Sequence, residues 1–102
     1  MSNITEARKA LVTRILEGDG KASRTERRTA FDNAGLSIPL STLIDKVARH
    51  AYRVADEDIS AAIDSGLSED QIFEMVVCAA IGQASRQYET ALGALEAATK
   101  EE

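Results

Sequence analysis

A chain of 102 residues, 44% hydrophobic and 28% charged, has the length and balance of one globular domain. With 4% aromatic residues and no Trp, its core falls to Leu, Ile, Val and Ala, and the lone Cys78 excludes an internal disulfide. The net charge of −5 is split: residues 1–53 hold 10 basic and 6 acidic side chains, and residues 54–102 hold 2 and 11, so the halves carry +4 and −9 and can attract within or between subunits.

Five helices are expected in chain order. The first runs from about Asn3 to Glu17, with Asn3 and Glu6 at capping-box spacing and Ile4, Ala7, Leu11 and Ile15 at helical steps. Gly18-Asp19-Gly20 ends it. The second starts at the capping box Ser23/Glu26 and stops near Asn33-Ala34-Gly35, with Arg24, Arg27 and Arg28 on one face. The third follows Ser37-Ile38-Pro39 and carries Leu40, Leu43, Ile44, Val47, Ala51 and Val54 as one apolar stripe. The fourth opens on Asp56-Glu57-Asp58, where carboxylates meet the positive end of the helix dipole, turns Ile59, Ala62 and Ile63 inward, and closes at Gly66. The fifth, capped by Ser68/Gln71, carries Phe73, Val76, Val77, Ala80, Ile81, Ala84, Tyr88, Leu92 and Leu95 as an apolar face to about Ala97. Short connections and the absence of strand alternation make the fold all-α, a compact bundle of about five helices.

The segment Lys46-Val47-Ala48-Arg49-His50-Ala51-Tyr52-Arg53-Val54, then Asp56-Glu57-Asp58-Ile59, continues through the turn Gly66-Leu67-Ser68-Glu69-Asp70 into a long Ala-rich helix. This order resembles the carboxymuconolactone decarboxylase and alkylhydroperoxidase D-like superfamily over roughly residues 40–96. The resemblance implies an alkylhydroperoxidase D-like fold and a homo-oligomer. It divides the chain into an N-terminal helical extension (1–36), a superfamily-like core (37–98) and a frayed tail (99–102). Redox members of that superfamily carry two cysteines three apart and a histidine four beyond. Alignment on Gly66 puts those positions at Ala51, Val54 and Asp58. A thiolate nucleophile and a resolving thiol are both missing, so thiol peroxidase activity by the family mechanism is not expected.

Cys78, between Val77 and Ala79, reads as a small core residue. His50 and Asp58 are the candidate catalytic pair: a histidine beside carboxylates (Asp56 and Glu57 flank Asp58) can pass protons in a pocket. No phosphate-binding Gly loop, nucleophile elbow or metal-ligand spacing occurs, so no cofactor or metal is expected. The basic cluster of Lys21, Arg24, Arg27 and Arg28 could meet phosphates, but an acidic chain without an aromatic platform disfavours nucleic acid. The opening Met1-Ser2-Asn3-Ile4-Thr5-Glu6 lacks an apolar signal core and no run has membrane-spanning length; a cytoplasmic protein is expected. Three functions remain: an oligomeric binding protein, a non-redox enzyme using His50 and Asp58 on a small acidic or lactone-like molecule, or a helical adaptor presenting the arginine face.

Overall fold

The computed structural model describes residues 2–100. It contains α1 (Ser2–Glu17), α2 (Arg24–Asp32), α3 (Leu40–Arg49), a short 3-10 turn (Ala51–Arg53), α4 (Asp56–Asp64) and α5 (Glu69–Lys100). The fold is all-α, with no strand among the described residues. No described helix is long and apolar enough to cross a membrane.

Local capping chemistry starts two helices as expected. Glu26 N–H donates to Ser23 Oγ at 3.0 Å, and Ser23 N–H donates to the Glu26 carboxylate at 2.8 Å. Ser68 and Gln71 repeat the exchange at 2.8 and 3.1 Å ahead of α5. Each box satisfies free N–H groups of a first turn. Replacing Ser23 with Ala should therefore cost about 1 kcal/mol in urea unfolding; an unchanged midpoint would show that the box contributes nothing. The third expected box does not form as drawn, because α1 already runs from Ser2 and encloses Asn3.

α5 is the common partner of the other helices. Its 32 residues span about 48 Å, which accounts for most of the molecule's 55 Å long axis. Leu16, Ala22, Ala30, Ile44, Met75, Cys78 and Ala79 form one buried cluster, so residues from the stretch read as an extension share a core with α3 and α5. Leu43, Ala62 and Ile72 form a second cluster beneath α4. Gly82 lets α2 lie directly on α5: a Cβ there would run into the Phe31 carbonyl and sit 3.0 Å from Phe31 Cα. Arg86 Nη1 then donates to that same carbonyl at 2.7 Å, satisfying an acceptor in the last turn of α2.

Several expectations need correction. α3 stops at Arg49. His50, at φ −147° and ψ 56°, breaks the stripe that was read as continuous to Val54. Ala51 is exposed in the 3-10 turn, and only Val54 returns to the core. The buried face of α5 is Ile72, Met75, Cys78, Ala79, Gly82 and Ser85; of the expected apolar face, Val76, Val77, Ile81, Tyr88 and Leu92 are half-buried and Phe73, Ala80, Ala84 and Leu95 are exposed. Likewise α1 turns Val12, Ile15 and Leu16 inward and leaves Ile4, Ala7 and Leu11 outside. Ile63 also remains 39% exposed. Thr99 and Lys100 continue α5 beyond Ala97, while Glu101 and Glu102 lie outside the described residues.

Candidate functional site

His50 and Asp58 are not joined. Asp58 accepts two bonds from Lys46 Nζ, both at 2.9 Å, and one from Ala55 N–H at 2.9 Å. The Ala55 N–H, then the Lys46 ammonium, hold its carboxyl below the usual aspartate range. Asp58 therefore ties α3 to the start of α4. His50 is exposed at the end of α3, its ring edge-on to Tyr52 with centroids 6.0 Å apart. It borders a shallow groove of about 400 Å³ with Ser41, Thr42, Asp45, Lys46 and Arg53. Asp58 is not among the residues lining that groove.

The expected arginine face is also divided. Arg24 lies 3.6 Å from Glu17, and the Arg28 guanidinium sits over the Phe31 ring at 5.8 Å. Arg27 is only 5% exposed. Its Nη1 donates to the carbonyls of Ile15, at 3.1 Å, and Gly18, at 2.6 Å. Those carbonyls belong to the C-terminal end of α1, where the helix dipole favours a cation. Among the described residues no acceptor meets its buried Nε.

Beside Arg27 a cleft of about 300 Å³ opens between α1 and α5, walled by Leu11, Ile15, Phe73, Val77 and Cys78. Its polar edge is Arg14, Asp19, Arg27 and Glu74. Glu74 reaches across from α5 to accept from Lys21 N–H at 2.9 Å with each oxygen and from Ala22 N–H at 3.0 Å. Burial pushes its carboxyl up, but the Lys21 and Ala22 N–H donors, then the charges of Arg27 and Lys21, outweigh that and leave it below the ordinary glutamate value.

Cys78 is 1% exposed, with its Sγ 3.7 Å from the Ile15 carbonyl. Burial pushes the thiol up, against the pull of Arg27 and with the push of Glu74. A thiol so placed stays protonated near neutral pH and is a poor nucleophile. Among the described residues no three His, Cys, Asp or Glu side chains gather closely enough to hold a metal.

The sequence offered Arg27 only as part of an exposed basic face and did not point to Glu74. The signal was faint: a helix end at Gly18 that leaves carbonyls open, N–H groups at Lys21 and Ala22 just beyond the turn, and one cation and one anion later in the chain to meet them. No family model, curated protein or solved structure matches the chain.

Proposed function

We propose that the chain is a binding protein for a small, mainly apolar molecule that carries one oxygen acceptor, a carboxylate or an ester-type carbonyl. One observation carries this reading. Arg27, fixed by bonds to Ile15 and Gly18, brings a guanidinium to the edge of a cleft whose walls are mainly apolar. A cation at the edge of an apolar cleft suits one oxygen acceptor on an otherwise apolar ligand. Apolar walls on α1 and α5 would cover the rest of the molecule. The order of parts over residues 46–74 is the ground for reading the chain as a divergent relative of the alkylhydroperoxidase D-like superfamily, and Ala51, Val54 and the buried lone Cys78 argue against its thiol chemistry. The acid/base alternative is weaker, because the Asp58 carboxylate is already taken by Lys46 and Ala55.

The test is titration of the full chain with octanoate and with γ-octalactone, followed by the arginine Nε–H resonances. The expected result is that the Arg27 signal moves saturably with at least one of them. Arg27→Lys, which retains the cation and loses Nε, should weaken that ligand about tenfold, or 1.4 kcal/mol. An Arg27 Nε–H signal that stays still at saturating concentrations of both ligands would overturn the proposal. So would peroxide turnover that disappears in Cys78→Ser.

A further inference from the structure

The groove along α3 is basic although the chain as a whole is acidic. Residues 38–53 hold three basic side chains and one acidic, and His50, the single histidine, stands among them. Lys46, His50 and Arg53 line one end of the groove, and Ser41 and Thr42 line the other. The helix sets Thr42 and His50 about 12 Å apart at 1.5 Å per residue.

Both ends keep hydrogen-bonding capacity that the chain does not use. Lys46 Nζ meets both oxygens of Asp58, and an ammonium carries three N–H donors. Among the described residues Arg53 pairs with no carboxylate. Its guanidinium lies over the Tyr52 ring, 5.7 Å from the centroid, and His50 meets the same ring edge-on. One ring thus positions two donor side chains. Asp45 is the one carboxylate among the described residues that line the groove, and it is already matched by Asn33 Nδ2 at 3.0 Å and by Arg49 at 3.7 Å. At the other end the contrast is with the remaining helical hydroxyls. Thr29, Ser65 and Thr99 spend theirs on carbonyls one turn back. Ser41 and Thr42 have no such acceptor among the described residues, and both reach solvent.

We propose that this groove binds a small phosphate monoester with a hydroxylated body, its phosphate at His50, Arg53 and Lys46 and its hydroxyls at Ser41 and Thr42. Charge selects an anion: Lys46 cancels against Asp58 and Arg49 against Asp45, which leaves Arg53 as the excess. Donors on three side chains suit a group with three free oxygens better than a flat carboxylate, and the arginine fork matches two of those oxygens. Hydroxyls both donate and accept, so Ser41 and Thr42 suit an alcohol-bearing body. A groove of about 400 Å³ has room for a compound of that size. No residue lines both this groove and the α1/α5 cleft, so the two sites stand or fall separately.

A lone histidine gives a single set of imidazole resonances, so His50 reports on its own groove. The full chain is titrated with glucose 6-phosphate at constant ionic strength, which removes changes due to screening alone. The His50 and Arg53 Nε–H signals should move saturably, with Kd on the order of 1 mM. Arg53→Gln should weaken binding about tenfold. Arg24→Gln, which removes the same charge from α2, should leave it unchanged. Ser41→Ala with Thr42→Val should weaken glucose 6-phosphate about fivefold and leave inorganic phosphate as it was. Signals that do not saturate by about 50 mM overturn the proposal, and so does an equal loss in Arg53→Gln and Arg24→Gln. Gluconate bound as tightly as glucose 6-phosphate overturns the choice of phosphate. Inorganic phosphate bound as tightly overturns the hydroxylated body.

Discussion

Gly82→Ala should lower stability by about 3 kcal/mol, at the upper end of over-packing costs, and should lower Tm by roughly 15 °C for a domain of this size. Helix propensity alone argues the other way, since Ala is better than Gly inside a helix by about 1 kcal/mol. Contact decides the sign. The added carbon meets backbone of Phe31, which cannot rotate aside as a side chain would. To make room, α2 must retreat from α5, which opens the core around Ala30 and Ala79 and stretches the Arg86 bond to Phe31. Gly93, in the same helix, has nothing within 4 Å of the same added carbon. Gly93→Ala should therefore stabilise by roughly 0.5–1 kcal/mol. Paired thermal scans check both. If the two variants move Tm in the same direction, the close approach at Phe31 is not what requires glycine at position 82.

The second large effect belongs to Glu74. Glu74→Ala removes the acceptor for the Lys21 and Ala22 N–H groups and leaves Arg27 without its nearby anion, at a cost of about 1 kcal/mol, since water can reach the freed donors. The pH dependence has a definite sign. The folded-state carboxyl ionises below its ordinary value of 4.5, so the native state favours the charged form. Its stabilisation is complete above about that pH and is lost as pH falls through the lowered folded value. Urea midpoints measured from pH 7 down to 3 should fall more steeply for the wild type than for Glu74→Gln. Parallel acid limbs in the two proteins would show that the carboxylate is not the group responsible.

Much of the architecture was legible because it is local. Ser23/Glu26 and Ser68/Gln71 start helices through contacts between residues three apart, and such contacts can be read directly from spacing. The orientation of α1 and α5 was not legible, for a physical reason. Both helices carry apolar residues around much of their circumference, so periodicity does not single out the face that packs. Burial was decided instead by small residues and good fit: Ala79 and Gly82 go inside, while Phe73 stays out. The end of α3 was hidden too, since His50 breaks the helix without a glycine or proline to announce it.

The candidate site was legible only in fragments. Cys78 was recognised as a core residue and is one. Arg27 looked like one member of an exposed basic face, because nothing along the chain reveals that the end of α1 will return to lie over it. His50 and Asp58 are close enough in sequence to suggest a pair, yet Lys46, on the preceding turns of α3, reaches the carboxylate.

The arrangement of helices around α5 also bears on how the protein is made. The ribosome releases α1 to α4 first, and each of them packs against the helix that comes last. Ala30 and Ile44 have no floor until the stretch around Met75 and Ala79 has been synthesised. The earlier helices touch one another sparingly, so a nascent chain cannot complete its core from them. Closure of the core must await most of α5, and until then the growing polypeptide carries its apolar side chains without their main partner.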